Sequence, residues 1–133
     1  MTTRILIADD NAPIRMLLRR LLERHASWVV YEAENGPDAV QKTAQLAPNL
    51  VILDLAMPGM NGLQAAQEIS KINPRLPMLL ASVEEVSTHL ARLARDCGFR
   101  GAVTKSKGTE VVRAAEALFQ GETFFAVDDS LAV

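Results

Sequence analysis

Asp54 closes the apolar run Leu50-Val51-Ile52-Leu53, and a loop rich in chain breakers (Pro58, Gly59, Asn61, Gly62) follows at once. Core packing does not ask for an acid there, whereas open α/β sheets place ligand chemistry at the carboxyl ends of their strands. Three other short runs end in the same way: residues 4–8 in Asp9 and Asp10, residues 77–81 in Ser82, and residues 100–104 in Lys105. Brought to one point, three carboxylates repel and raise one another's pKa. An oxygen-seeking cation relieves that conflict. One or two carboxylates, a backbone carbonyl and several waters describe Mg²⁺ rather than Zn²⁺, since neither His25 nor His89 is placed to help. An ammonium and a hydroxyl facing the same spot complete the equipment for a phosphoryl group. The cation and Lys105 balance its charge, and the Ser82 hydroxyl bonds one of its oxygens. Asp54, in the middle, is the carboxylate placed to act as a nucleophile.

Each residue alone has a plainer reading. Asp54 and Ser82 suit turns, Asp9 and Asp10 favour the dipole of a following helix, and Lys105 could be a solvated loop lysine. The coincidence at four strand ends is what favours chemistry.

The elements that must position these residues are legible from periodicity. Strands are expected at 4–8, 28–34, 50–54, 77–82 and 100–104. Pro13 opens a first helix with Ile14, Leu17, Leu18, Leu21 and Leu22 at helical spacing. Residues 38–46 form a second, facing inward through Val40, Ala44 and Ala47, and residues 62–72 a third, buried through Leu63, Ala66 and Ile69. Val86, Leu90, Leu93 and Cys97 make the inward stripe of a fourth, ended by Gly98. Thr109 is expected to cap a fifth, carrying Val111, Val112, Ala115, Leu118 and Phe119. Short strands alternating with helices mean a parallel sheet covered on both faces. The expected fold is α/β, a flavodoxin-like (βα)5 doubly wound sheet of strand order 2-1-3-4-5. The ends of strands one, three, four and five then meet in one crevice.

Composition fits one domain. The chain has 133 residues, 49% hydrophobic but only 5% aromatic, enough for an aliphatic core without disulfides. The net charge of −2 leaves no footprint for nucleic acid or an anionic membrane. The single Cys97 fits a reducing compartment, residues 1–8 are too short and too soon followed by acids for a signal peptide, and no apolar run is long enough to span a bilayer, so the expected location is the cytoplasm. His25 and His89 are expected on helices and solvated, Cys97 in the core, and Trp28 as a packing residue at the edge of a strand.

Asp9-Asp10, Leu53-Asp54 with Met57-Pro58 and Gly62, Ser82 and Lys105 together resemble the receiver domain of two-component response regulators, in order and spacing, across the chain up to Gly121. The resemblance implies that Asp54 accepts a phosphoryl group from a sensor histidine kinase or phosphotransfer protein, with Lys105 and Ser82 holding that group. It implies that Asp10, Asp54 and the carbonyl of Ala56 bind Mg²⁺ directly, with Asp9 acting through water and Mn²⁺ as a substitute. It describes a signalling phosphoacceptor, not an enzyme acting on other substrates. Residues 1–121 are expected to be the receiver, and 122–133 a tail or the start of a linker to an effector that is not present. Helix four, strand five and helix five are the expected reporting face and a candidate homodimer surface. No binding of nucleic acid or membrane by this chain is expected.

Three positions depart from the family pattern. Ala102 replaces the aromatic three residues before the lysine, so another element must report the switch. Ser106 stands where many relatives have a proline. Val83 follows Ser82 where small residues prevail, which predicts a long-lived phosphorylated state. An aspartyl phosphatase of the haloacid-dehalogenase type would need an acid at Ala56, and a nucleotide binder a glycine-rich turn after strand one. The stronger alternative is a receiver whose switch has decayed into a constitutive protein-contact module.

Overall fold

The computed structural model describes residues 2–127. The elements in chain order are β1 (Thr3–Ala8), α1 (Ala12–Leu22), β2 (Trp28–Ala33), α2 (Gly36–Leu46), β3 (Leu50–Asp54), α3 (Gly62–Ile72), β4 (Met78–Ser82), α4 (Thr88–Asp96), β5 (Gly101–Thr104), α5 (Gly108–Phe119) and β6 (Phe124–Phe125). The sheet order is β2-β1-β3-β4-β5-β6 and every pairing is parallel. The expected 2-1-3-4-5 core is therefore present, extended by one short strand. Among the described residues, no helix is long and apolar enough to cross a membrane.

Strand alternation divides the core into two layers. Leu6, Val51, Leu53, Leu80 and Ala102 face α2, α3 and α4, where they meet Ala39, Ala65, Ala66, Ile69, Ala91 and Ala94. Ile5, Ile7, Ile52, Leu79 and Val103 face α1 and α5, against Leu18, Leu22, Val111, Ala115 and Leu118. β3 and β4 are buried at every residue, which explains why their sequences are apolar runs rather than alternations.

The helix faces differ from expectation where small residues decide the packing. α2 starts at Gly36, with Pro37 in its first turn and the Asn35 side chain accepting from the Asp38 N–H. Its buried line is Gly36, Ala39 and Thr43, whereas Ala44 is exposed and Ala47 lies past the helix in a left-handed conformation (φ 46°). A Cβ on Gly36 would come within 2.8 Å of the Met60 side chain, so close approach rather than bulk selects this face. Thr43 donates its hydroxyl to the Ala39 carbonyl and so enters the core satisfied. α4 likewise buries Ala91 and Ala94, leaving Leu93 37% exposed and Cys97 half-buried at its C-cap, while Val86 precedes the helix. On α1, Leu17 is exposed. Thr109 is not a cap: α5 begins at Gly108 after Lys107, pressed against Leu21 of α1.

His25 lies in the turn after α1 rather than on a helix, stacked 4.2 Å from the buried Trp28, which also tilts against Phe119. Phe124 and Phe125 add β6 beside β5, and Phe125 stands in register with Ala102. A Cβ on Gly101 would meet the Phe124 carbonyl at 2.7 Å, so glycine permits this pairing. The segment expected as a tail over 122–133 is described only to Val127, which bridges to Val86; residues 128–133 lie outside the described part.

Candidate functional site

Parallel pairing aligns the carboxyl ends of β1, β3, β4 and β5. Ala8 registers with Leu53, Asp54 with Ala81, and Ser82 with Thr104, so the residues at or just after these ends share one edge of the sheet. There, one carboxylate oxygen from each of Asp9, Asp10 and Asp54 lies within 4.8 Å of the others. Lys105 Nζ reaches back across the cleft to Asp9 Oδ2 at 2.7 Å and Asp54 Oδ1 at 3.0 Å. Its N–H donates to the Ser82 carbonyl at 2.7 Å, which ties the ends of β4 and β5 together and aims the lysine side chain inward.

Asp9, Asp54 and the side chain of Lys105 are buried, whereas Asp10 is exposed. Burial first, then the neighbouring acids Asp9 and Asp10, pushes the Asp54 carboxyl up to about 6, against the opposing pull of Lys105. Burial works to lower the Lys105 ammonium, but its bonds to Asp9 and Asp54 outweigh it and hold the group above its ordinary value. Three carboxylates thus face a single ammonium, a charge excess suited to a hard divalent cation bound through oxygen.

Ser82 is buried at the end of β4, and its Oγ accepts from the Glu84 N–H at 3.1 Å. Its hydroxyl is thus engaged with its own loop, one strand away from Asp54 and two from Asp9 and Asp10. Val83 beside it is 61% exposed. Ala56 is exposed on the loop after β3. That loop is pinned by Gly62: its N–H donates to the Leu55 carbonyl, and a Cβ at this position would run into the Asp54 carbonyl. Met57 is buried beneath it.

Two residues of the site have no assigned role in the sequence reading. Arg15 donates through Nη1 to the Asp9 carbonyl at 2.6 Å and through Nε to Glu32 Oε1 at 2.6 Å. The Arg19 guanidinium, first, and Arg15 together hold Glu32 below the ordinary carboxylate range, against its burial. A signal was available, because Arg15 is three residues before Leu18 and seven before Leu22, on the inward side of α1. A cleft lined by Asp10, Ala12, Arg15, Glu34, Pro58 and Met60 opens beside the acids.

Residues 5–116 match the family model of the response regulator receiver domain. The chemotaxis protein CheY of Thermotoga maritima is 42% identical over 82 residues, 62% of this chain and 68% of that protein. The virulence transcription regulator BvgA of Bordetella pertussis is 32% identical over 126 residues, 94% of this chain but only 60% of BvgA's length. Among solved structures, a LuxR-family two-component response regulator from Aurantimonas superposes with a TM-score of 0.89 at 30% identity, covering 95% of this chain and 91% of that one. The isolated receiver domain of RcsB from Salmonella enterica, determined with a phosphomimetic beryllofluoride, gives 0.83 at 25% identity, covering 94% of each chain. The chain belongs to the response regulator receiver domain family, whose role in two-component signalling is that of phosphoacceptor.

Proposed function

We propose that Asp54 is the phosphoacceptor of this receiver. The observation that carries the reading is the buried Lys105 ammonium held between Asp9 and Asp54 inside a cluster of three acids. The donor is a phosphohistidine on a sensor kinase or phosphotransfer protein. A carboxylate oxygen of ionised Asp54 attacks phosphorus, the P–O bond forms as the P–N bond breaks, and the histidine nitrogen leaves with the electron pair. Lys105 then passes from the Asp54 carboxylate to a phosphoryl oxygen while keeping Asp9. Ser82 exchanges the Glu84 N–H for a phosphoryl oxygen, to which its hydroxyl donates. The new charge on Asp54 biases two conformations of the loops around it, which is the signal.

The donor set fits Mg²⁺, with Mn²⁺ as a substitute: Asp10, Asp54 and the Ala56 carbonyl are the direct ligands in this reading, and Asp9 acts through water. When bound, the cation balances the charge of the phosphoryl oxygens. The only reactions promoted are the domain's own phosphorylation and its hydrolytic reversal. The cytoplasm is the compartment in which such a donor is met. The receiver unit proposed over residues 1–121 gains β6 (Phe124–Phe125) as a further strand of its sheet, and the face formed by α4, β5 and α5, edged by that strand, is the surface through which a dimer or output segment reads the switch.

The test is incubation with acetyl phosphate, with and without Mg²⁺, beside an Asp54→Asn variant, read by intact mass. One added phosphoryl group that requires both Mg²⁺ and Asp54 is the expected result. An adduct on the Asn variant, or none on the wild type, refutes the assignment. Ala102 supports a second reading, a constitutive contact module with no working switch. Beryllofluoride with Mg²⁺ shifts the amide spectrum of a working switch and leaves a decayed one unchanged.

A further inference from the structure

We infer that Arg15 is a positioning residue for Asp10, setting the affinity of the acid cluster for Mg²⁺ by fixing the peptide that joins Asp9 to Asp10. The inference rests on the proposed metal role of that pair.

Asp9 is held on every side. Its N–H donates to the Ala33 carbonyl at 3.1 Å, its Oδ1 accepts from the Asn11 N–H at 2.9 Å, and its Oδ2 accepts from Lys105 at 2.7 Å. The remaining group is its carbonyl oxygen, and Arg15 Nη1 takes it at 2.6 Å. Asp10 differs: it is exposed, and none of the hydrogen bonds found among the described residues involves its side chain. Its direction is therefore inherited from the backbone. A peptide unit is planar, so gripping the Asp9 oxygen also fixes the nitrogen and the Cα of Asp10, the point from which its side chain starts, and leaves only rotation about φ and the side-chain torsions free.

The grip is itself braced. The Arg15 side chain is 11% exposed, and its Nε donates to Glu32 Oε1 at 2.6 Å. The other oxygen of Glu32 accepts from Arg19 Nη1 at 2.9 Å. Lys42 Nζ holds the Glu32 carbonyl at 2.6 Å. A guanidinium offers donors along two edges in one rigid plane, which lets Arg15 serve the Glu32 carboxylate and the Asp9 carbonyl together. A lysine has the charge without that fork. The frame under Asp10 thus consists of α1, β2 and α2, joined through Arg15 and Glu32. Groups behind metal ligands in this way commonly change metal affinity about 10–100-fold when removed.

Charge and position predict opposite signs. If Arg15 acted only as a nearby positive charge, Arg15→Ala would tighten Mg²⁺ binding and Arg15→Lys would leave it unchanged. Acting as a brace, both substitutions weaken it by about tenfold. The measurement is a Mg²⁺ titration without phosphodonor, followed by the amide shifts of Asn11 and Ala56, on wild type, Arg15→Lys, Arg15→Ala and Glu32→Gln. Thermal unfolding followed by circular dichroism checks that each variant folds, and Arg15→Lys carries the test if Arg15→Ala does not. Both Arg15 variants are expected to bind more weakly, Glu32→Gln less severely, and each to regain wild-type acetyl phosphate labelling at raised Mg²⁺. Arg15→Lys binding within twofold of wild type overturns the inference alone. A wild type that takes no Mg²⁺ overturns it together with the metal assignment beneath it.

Discussion

Replacing Asp54 by asparagine is expected to stabilise the metal-free protein at neutral pH. The side chain is 5% exposed, so little solvent screens it, and its carboxyl is pushed from the ordinary 3.8 up to about 6. At about 1.4 kcal/mol per pH unit, that difference makes the ionised form about 3 kcal/mol unfavourable to folding. Above about pH 6, folded and unfolded chains both hold the group ionised and the full penalty is present. Between that value and 3.8, the folded chain takes up a proton that the unfolded chain does not, so the penalty fades as pH falls. Asparagine has nothing to titrate and can still accept from Lys105. Urea unfolding in chelator, from pH 4 to pH 8, should show a variant about 1–3 kcal/mol more stable at the alkaline end and equal to wild type near pH 4. Mg²⁺ should shrink the gap by stabilising wild type, since it binds the folded chain only. A gap that is absent at pH 8, or that does not change with pH, refutes the account of Asp54 as a buried and electrostatically burdened acid.

Three further outcomes follow from the same geometry. Lys105→Met should destabilise the metal-free protein by about 3 kcal/mol in urea unfolding, because it leaves Asp9 and Asp54 buried without their ammonium. It should also abolish most labelling by acetyl phosphate. Gly62→Ala drives a methyl group into the backbone carbonyl of Asp54, which cannot move aside as a flexible side chain could. A loss of about 1–3 kcal/mol is expected by thermal or urea unfolding. Val83→Ala should shorten the life of the phosphorylated protein severalfold if the exposed valine narrows the approach to Asp54, as followed by the decay of the phosphorylated mass. Equal decay rates would remove Val83 from the reasoning.

The strands were legible in the sequence because each signal is local, and their order followed from the regular alternation of strands with helices. A fully buried strand needs an unbroken apolar run, and although Asp54 or Lys105 alone has a plain structural reading, polar residues at four such strand ends together do not. The helix faces were less legible. Larger apolar residues such as Val40, Leu17 and Leu93 drew the expected stripes, but the buried positions are the small Gly36, Ala39 and Thr43 of α2 and Ala91 and Ala94 of α4, with Gly36 packed against Met60 of the loop after β3. How near two elements come is a property of both surfaces, which no single segment carries.

Tertiary structure alone decided three things. Phe124 and Phe125 become a strand because β5 offers an unpaired edge and Gly101 leaves room for it, so Phe125 lies in register with Ala102. Lys105 finds Asp9 as well as Asp54 because β1, β3 and β5 end at one level, separations of 96 and 51 residues that spacing cannot reveal. Arg15 grips the Asp9 carbonyl because Glu32 on the neighbouring strand holds its guanidinium in place. Residue types and their periods determine which chemistry is present and which elements form. The distances that make those groups act together arise only when parallel pairing closes the long loops between them.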